Sequence, residues 1–334
     1  MDTFGDLSST EKIKLLETMV LSRVTEEKIE QLNNEKALHG TNHLCIGQEA
    51  SHTGLCAALD KNDWITATHR GHGFFLAKGG SLSSFWAEMF GLSNGCCKGL
   101  GGSMHLADID NKYMCSSGVV AAGVPISAGI ALSLKYKHKS NIAVSVFGDG
   151  ASNQGMTFET MNLAVVLQLP ILFYCENNGY AVSSRSSEFV GAESITSRAN
   201  AFGINSTSVN GNDIAQVYDA VKTAANYIRT NTKPFFIEVK TYRIAGHSRS
   251  DNKSYRTHDE ENLHAQNCPI KAYAATLIKE GLLEQTDFSE MISAAKARTN
   301  AEADKCLNLA KNQANITSLE EALQCVAPSF GGVQ

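Results

Sequence analysis

The chain has 334 residues, of which 43% are hydrophobic and 19% are charged, as expected for a soluble globular protein with a sizeable core. A formal net charge of -5 and the lack of a basic patch argue against binding to nucleic acid. The most apolar long segment, residues 119–134, is interrupted by glycine, proline and serine and is too short to span a membrane.

The N-terminal residues and the cysteines indicate a compartment. Residues 1–12 contain an early acid, and they have neither the apolar core of a signal peptide nor the arginines of a transit peptide. The nine cysteines are scattered without CxxC spacing, which favours reduced thiols over a disulfide or zinc framework. We therefore expect a cytoplasmic protein without a membrane segment. Cys96-Cys97 is the only adjacent pair, and we interpret it as vicinal packing.

The first predicted element is a long N-terminal helix. Ser8-x-x-Glu11 is a capping-box pattern, and apolar residues at helical spacing follow it, so we expect a helix over about 10–35. A second helix is predicted to run through Leu59, after the sequence GQEA at residues 47–50. Within that sequence, Glu49 is expected to have a structural role.

A short strand is predicted at Trp64–Thr68, and it runs into the sequence HRGHG at residues 69–73. The planar fork of arginine matches phosphate, so Arg70 at a strand end beside glycines is a candidate ligand for a diphosphate. The glycine-rich residues 98–105 lack the GK[ST] ending of a phosphate loop, and we expect them to form a structural loop. Residues 119–134 are expected to form a buried helix.

The central segment has the pattern of a βαβ unit. Strands are predicted at Ile142–Phe147 and Ile171–Cys175, with a helix over residues 153–168 between them. A right-handed crossover makes such strands parallel. Gly148-Asp149-Gly150 follows the first strand and Glu176-Asn177-Asn178 follows the second, so both polar clusters fall at carboxyl ends of strands, where open parallel sheets bind ligands.

These two clusters suit a metal-bound phosphate. The glycines allow the backbone to approach a ligand closely, and the amides at the start of the following helix suit phosphate. Asp149 and Asn178 offer hard oxygen ligands of the kind that Mg²⁺ combines with phosphate oxygens. The sequence therefore predicts a magnesium and diphosphate site at this edge of the sheet.

The parallel sheet is expected to continue through strands at residues 204–209 and 235–242, with a helix at 214–228. Residues 243–257 lack periodicity and predict a mobile loop that contains His247. From residue 259 onward the chain is polar and helical. We expect capping boxes at Asp287-x-x-Glu290 and Ser318-x-x-Glu321, and packing of these helices on the core and on neighbouring subunits.

The fold class that follows is α/β, with a mostly parallel sheet, helices on both faces, and helical N- and C-terminal extensions. We expect residues 1–258 to form one α/β domain that includes the N-terminal helix. Residues 259–334 are expected to form a helical C-terminal extension of the same unit.

Five motifs in one order carry a resemblance that covers nearly the whole chain. They are HRGHG, KGLGGSMH, GDGASNQG, LPILFYCENNGYAVSS and TYRIAGHSRSDNKSYRT. The spacing of GDG and Asn177-Asn178, with 26 intervening residues, is typical of thiamine diphosphate enzymes. Together the motifs resemble the alpha subunit of the decarboxylating component of 2-oxo acid dehydrogenase complexes, the group that contains pyruvate and acetoin dehydrogenases. The resemblance implies a thiamine diphosphate-binding fold.

The resemblance also implies roles for individual residues. It assigns catalytic roles to His43 and His247, and metal ligation to Asp149, Asn178 and Tyr180. The implied contacts to thiamine diphosphate are His69, Arg70, Gly118, Val120, Gly148, Asp149, Gly150, Ala151, Asn178, Tyr180 and His247.

Three features depart from the pattern of the family. Ser117 stands where relatives usually carry asparagine, and Ala245 stands where many mitochondrial relatives have histidine. The loop is also one residue shorter before Ser254, so phosphorylation at Ser248 or Ser254 is not assumed.

The implied reaction cleaves acetoin or decarboxylates pyruvate and transfers the acyl unit to a lipoyl carrier, with Mg²⁺ as a second cofactor. The form of the HRGHG motif slightly favours acetoin. The implied partners are a beta subunit in an α₂β₂ heterotetramer, which supplies the activating glutamate, and a lipoyl-bearing acyltransferase. Two alternatives stay open: a two-subunit transketolase-like carboligase and a non-catalytic scaffold subunit. A nicotinamide-dependent oxidoreductase is disfavoured because GDGASN lacks the third glycine of GxGxxG.

Overall fold

The structure is a computed structural model that describes residues 3–313 and 315–326. Its main sheet has six strands in the order β2-β1-β3-β4-β8-β7, and every neighbouring pair is parallel. The strands are β1 (Trp64–Thr68), β2 (Tyr113–Ser117), β3 (Ala143–Gly148), β4 (Ile171–Asn177), β7 (Asn205–Asn210) and β8 (Phe235–Lys240), with β5 (Tyr180–Ala181) and β6 (Ser184–Arg185) forming a separate antiparallel hairpin.

The helices cover both faces of the sheet and both ends of the chain. They are α1 (Ser9–Asn34), α2 (Glu49–Ala58), α3 (His72–Ala77), α4 (Leu82–Met89), α5 (Gly123–Tyr136), α6 (Gly155–Val166), α7 (Ser186–Phe189), α8 (Ile195–Ala201), α9 (Ile214–Asn231), α10 (His258–Gln266), α11 (Pro269–Lys279), α12 (Gln285–Lys311) and α13 (Leu319–Val326). None of these helices combines the length and apolarity needed to cross a membrane. The α/β fold class predicted from the sequence is confirmed.

The strand sequences explain why the sheet is covered on both faces. In β4, Leu172 and Tyr174 point into one core with α2, α3 and α9, while Phe173 and Cys175 point into a second core with α5, α6 and α8. All four side chains are fully buried. A strand that is buried on both faces reads as a continuous apolar run, as parallel sheets require.

The N-terminal helix α1 joins the C-terminal helices to the core. Its capping box is confirmed, because Glu11 accepts a hydrogen bond from Ser8 N at 2.9 Å. Leu16, Met19 and Val20 of α1 pack against α11 in a third apolar cluster. The division at residue 258 stays a prediction, and residues 314 and 327–334 of the expected extension lie outside the described residues.

Two boundaries predicted from the sequence are wrong. The helix expected over 119–134 begins at Gly123, because Ala121 has a left-handed backbone (φ +66°), and Val119 and Val120 are 63% and 49% exposed. The helix expected from residue 153 begins at Gly155, after a separate 3-10 turn at Gly150–Asn153. The amides that follow Asp149 therefore belong to a tight turn rather than to α6.

The capping pattern at Asp287 is also displaced. Helix α12 begins at Gln285, and Asp287 accepts a hydrogen bond from the N-cap residue, Glu284, at 3.1 Å. Asp287 is thus the third residue of the helix rather than its cap. The capping box at Ser318 and Glu321 is confirmed, with Ser318 N donating to the Glu321 carboxylate at 2.8 Å.

Candidate active site

The carboxyl ends of five strands meet at a cavity of about 270 Å³. The connection after β1 leads to β2 on one side, while β3 leads to β4 on the other, so the chain changes direction between adjacent strands β1 and β3. Ligand sites of open parallel sheets lie at such switch points. Ten predicted site residues line the cavity: His69, Arg70, Val120, Gly148, Asp149, Gly150, Ala151, Asn178, Tyr180 and His247.

Two predicted residues do not line the cavity. Gly118 lies between Ser117 and Val119, which do line it. His43 lies behind the lining, where its ring contacts His69 and His247. Ser117 Oγ accepts a hydrogen bond from Val119 N at 3.1 Å, so this serine closes a local turn just before the cavity residue Val119.

Asp149 holds a carboxylate oxygen in an unfavourable environment. The side chain is 2% exposed, and Oδ1 accepts a hydrogen bond from Gly150 N at 2.9 Å. Oδ2 is buried and has no hydrogen-bond partner among the described residues. Burial raises the pKa of Asp149 to about 6. A buried carboxylate without a partner is costly, and a divalent cation would satisfy it.

Asn178 lies beside Asp149 in the lining, and register places it there. Gly148 of β3 pairs with Glu176 of β4, so the residues that follow both strands leave the sheet side by side. Asn178 Oδ1 accepts from Tyr180 N at 3.3 Å, and Nδ2 donates to Gln48 Oε1 at 3.4 Å. These long contacts leave Oδ1 with capacity for a further ligand. The donor set of a carboxylate and an amide oxygen fits Mg²⁺.

Tyr180 can reach a metal ion only through its main chain. Its phenol donates to Glu260 Oε1 at 2.6 Å, which directs the side chain toward α10. Its carbonyl oxygen accepts from Arg243 Nη1 at 3.3 Å. Of the two oxygen atoms of Tyr180, only the carbonyl oxygen is therefore placed to take the metal role that the resemblance implies.

The backbone at Gly150 has no room for a side chain. A Cβ atom there would lie 2.8 Å from the Cβ of Ala181 in the β5–β6 hairpin. Glycine is thus required for the hairpin to close this side of the cavity.

Two buried guanidinium groups give the cavity a positive field. Arg70 is 3% exposed and donates to Leu44 O at 2.7 Å and to His247 O at 2.9 Å. Arg243 is 1% exposed, donates to Val182 O at 2.7 Å, and keeps its Nε without a partner in the described structure. Burial, together with the charge of Arg243, lowers the pKa of Arg70 to about 10, so Arg70 remains a cation at neutral pH. A site of this kind attracts an anion.

Sequence reasoning missed Arg243 and assigned no role to Glu176, although both line the cavity. Arg243 follows the predicted strand 235–242 directly, and this position at a strand end is the signal that had marked Arg70. Glu176 is 4% exposed and accepts from Ser51 Oγ at 2.6 Å, and burial raises its pKa to about 7. The serine partner comes from α2, which no local pattern reveals.

Three histidines meet at one side of the cavity. The ring centroids of His43 and His69 are 4.5 Å apart, and those of His43 and His247 are 4.9 Å apart. Burial, followed by the charge of Arg70, lowers the pKa of His43 to about 3, of His69 to about 2 and of His247 to about 4. All three are therefore neutral at pH 7. Neutral imidazoles beside Arg70 can donate to an anion or move a proton.

His247 belongs to an irregular loop that is organised by its own side chains. Asp251 accepts from His247 N at 2.5 Å, from Tyr255 Oη at 2.6 Å and from Lys253 N at 2.9 Å. Arg256 donates to the carbonyl oxygens of Arg243 and of the two residues that follow it. These bonds hold the loop over the cavity.

Comparison with known proteins identifies the family of this chain. Residues 17–314 match the sequence model of the dehydrogenase E1 component family. The chain is 38% identical to the alpha subunit of acetoin:2,6-dichlorophenolindophenol oxidoreductase of Bacillus subtilis over 92% of this chain and 91% of that one. It is 36% identical to the pyruvate dehydrogenase E1 alpha subunit of Rickettsia bellii, over 86% of this chain and 88% of that one. It is 37% identical to the testis-specific mitochondrial pyruvate dehydrogenase E1 alpha subunit of rat, over 85% of this chain and 72% of that one. This chain therefore belongs to the dehydrogenase E1 component family.

Proposed function

We propose that this chain is the alpha subunit of a thiamine diphosphate- and Mg²⁺-dependent dehydrogenase component that acts on acetoin or pyruvate and passes the acyl unit to a lipoyl carrier. The family implies thiamine diphosphate as the cofactor. The observation that carries the proposal for this chain is the unsatisfied oxygen of Asp149, which lies beside Asn178 in a cavity lined by two arginines.

The metal and diphosphate site is supported by the donors that face the cavity. Asp149, Asn178 and the Tyr180 carbonyl would hold the metal ion through three oxygen atoms. Arg70 and Arg243 would neutralise the diphosphate, since guanidinium groups donate to phosphate in pairs. His69, Gly118, Val120, Gly148, Gly150 and Ala151 complete the proposed contacts.

The histidines provide the proposed proton chemistry. Thiamine diphosphate, when bound, supplies carbanion stabilisation at the substrate carbonyl carbon. His247 lines the cavity and is neutral at pH 7, so it can donate to or accept from a substrate oxygen, whereas His43 contacts the His247 ring from behind the lining. Arg243 and His247 of loop 243–257 both line the cavity, so this loop forms part of its wall.

A beta subunit is needed to complete the site. The relatives are named as alpha subunits, and we infer from this that the partner is a beta subunit. Val119, Val120 and Val182 are exposed where they line the cavity, at 63%, 49% and 57%. Apolar side chains at a site mouth suit burial against another chain. We propose an α₂β₂ heterotetramer with a lipoyl-bearing acyltransferase as further partner, and a cytoplasmic location supported by the scattered cysteines.

Acetoin is slightly favoured as the substrate. The HRGHG motif at residues 69–73 has the form that resembles acetoin-type subunits, and the Bacillus relative is named for acetoin. The test is an assay of the co-expressed alpha–beta pair with acetoin and pyruvate side by side, using an artificial electron acceptor. Turnover that requires thiamine diphosphate and Mg²⁺ supports the proposal, and higher turnover of acetoin supports the substrate. Carboligation without a lipoyl acceptor, or absence of cofactor binding, would contradict it.

A further inference from the structure

A pair of adjacent thiols lies outside the carboxyl-edge cavity, in the segment that follows α4. The sulfur atoms of Cys96 and Cys97 lie within 4.8 Å of each other and of a carboxylate oxygen of Glu88. Both residues are half-buried, so a small solute can reach them. The two sulfur atoms are therefore close enough for a small movement of the side chains to bring them into contact.

The arrangement is unsuited to a metal ion, although three ligand types meet there. The carboxylate of Glu88 accepts four backbone amides, from Cys97 at 2.7 Å, Gly99 at 2.9 Å, Gly101 at 2.8 Å and Gly102 at 3.0 Å. A carboxylate offers about four acceptor positions, so Glu88 has none left for a cation. The remaining chemistry of the cluster belongs to the two sulfur atoms.

We propose that Cys96 and Cys97 form a dithiol that a peroxide oxidises to a vicinal disulfide. Cys97 is the nucleophile. The neighbouring thiol of Cys96 lowers the pKa of Cys97, whereas the pKa of Cys96 is raised by Cys97. The thiolate is the reactive form of cysteine.

The reaction balances in two steps. The Cys97 thiolate attacks a peroxide oxygen, so that an S–O bond forms, the O–O bond breaks, and an alcohol or water leaves after taking a proton. The Cys96 sulfur then attacks the sulfenic sulfur, so that the S–S bond forms and the hydroxyl group leaves as water with the Cys96 proton. The two thiols lose two electrons in total and the peroxide gains them.

Geometry makes this disulfide readily reversible. Adjacent Cα atoms are about 3.8 Å apart across a trans peptide, whereas disulfides usually join Cα atoms about 4.4–6.8 Å apart. A strained disulfide has a more oxidising potential and is reduced easily by the thiol pool of a cell. The pair therefore stays reduced until a peroxide is present, which suits a sensor better than a structural bridge.

Oxidation of the two thiols would remove one hydrogen bond to the neighbouring glycine-rich loop, residues 98–105. In the reduced thiol form Cys97 Sγ donates to the carbonyl oxygen of His105 at 3.2 Å, whereas the disulfide has no proton to donate. The His105 ring lies against Gly118, where an added Cβ would be 3.4 Å from it. Gly118 precedes the cavity residues Val119 and Val120. This consequence for the cofactor site rests on the proposed function, whereas the dithiol itself does not.

The test uses the full chain treated with hydrogen peroxide, then alkylated, digested and mapped by mass spectrometry. We expect a 96–97 disulfide that dithiothreitol returns to two alkylatable thiols. Cys96→Ser should instead leave a sulfenic acid on Cys97 that dimedone traps, and Cys97→Ser should show neither product. Cys115→Ser and Cys325→Ser are matched controls that should behave as wild type. A link from either thiol to Cys115 or Cys325, or oxidation no faster than that of Cys325, would overturn the proposal.

A second measurement needs no variant. Phenylarsine oxide, a trivalent arsenical, bridges two thiols only when they lie side by side, so one adduct per chain should block Cys96 and Cys97 together. Separate single modification of the two residues would count against the dithiol. Amide exchange in residues 99–105 should rise after oxidation, and unchanged exchange would overturn the coupling to the loop. Neither readout depends on cofactor binding, so failure of the proposed function would leave both results intact.

Discussion

Arg70 donates to the main-chain carbonyl of His247 at 2.9 Å, and this bond joins the end of β1 to the loop over the cavity. Its Nη2 also contacts His247 Nδ1 at 3.3 Å. One buried cation thus orients the loop histidine and lowers its pKa to about 4, after the larger effect of burial. Residues that are 177 positions apart act as one unit at the site.

Asp149→Asn should abolish Mg²⁺-dependent binding of thiamine diphosphate and should stabilise the free chain. The amide removes a charge from a site that lacks a cation, whereas the metal loses a ligand. Titration calorimetry on the alpha–beta pair and thermal unfolding of the chain alone measure the two effects. Asp110→Asn, on the loop before β2, is the control. Cofactor binding that survives with unchanged metal dependence would refute the ligand assignment.

The stabilisation by Asp149→Asn should depend on pH. The pKa of Asp149 is raised from 3.8 to about 6 in the folded chain, so its contribution to stability is present below pH 4 and is lost as the pH rises through 6. A shift of two pKa units corresponds to a change of about 3 kcal/mol in the free energy of unfolding. Urea unfolding of wild type and variant from pH 4 to 8, without metal, should therefore show the variant gaining relative stability as the pH rises. A constant difference would show that Asp149 titrates normally.

Arg243→Met should weaken thiamine diphosphate binding by more than tenfold. It removes one of two cations from a buried anion site, and a charge-assisted hydrogen bond contributes about 1.5–3 kcal/mol. Equilibrium binding measured by fluorescence on the alpha–beta pair is the readout. Arg249→Met lies on the same loop but contacts only Leu38 O at 3.4 Å among the described residues, and should bind as wild type. Equal losses in both variants would point to general loop damage.

His247→Ala should slow turnover by about 10²–10⁴-fold while leaving the fold intact, as expected for loss of a group that transfers protons. The half-buried loop position makes a stability loss small. Steady-state kinetics and circular dichroism on the alpha–beta pair check both expectations. His39→Ala, an exposed histidine outside the cavity lining, should be unaffected. Wild-type turnover in His247→Ala would remove the catalytic assignment.

Glu88→Ala should destabilise the chain by about 3–5 kcal/mol, because four backbone amides lose their acceptor at once and hydrogen bonds to a charged group are strong. Glu159→Ala, on helix α6, is a surface control for the loss of one carboxylate. Chemical unfolding measures the free energy of unfolding of both variants. A loss below 1 kcal/mol would mean that water replaces the carboxylate in the glycine-rich loop.

The local pattern of apolar and polar residues was enough to predict the central βαβ unit. The apolar runs at 142–147 and 171–175, each followed by a polar cluster, were sufficient to predict parallel strands and to bring Asp149 and Asn178 to one edge. This works because a buried parallel strand must be apolar on both faces, and because carboxyl ends of parallel strands share an edge. The N-terminal helix was predicted within one residue at each end, since its capping box is a local signal.

Contacts between distant segments were decided only by the tertiary structure. The helix expected at residue 119 begins at Gly123, because Ala121 adopts a left-handed backbone conformation that interrupts the helix. Burial explains three features of the site. They are the Asp149 oxygen that has no hydrogen-bond partner, the neutral state of the three histidines and the position of Arg243 in the cavity lining. Burial depends on which distant segments of the chain pack together. Hydrophobic periodicity within one segment does not show which other segment will cover it.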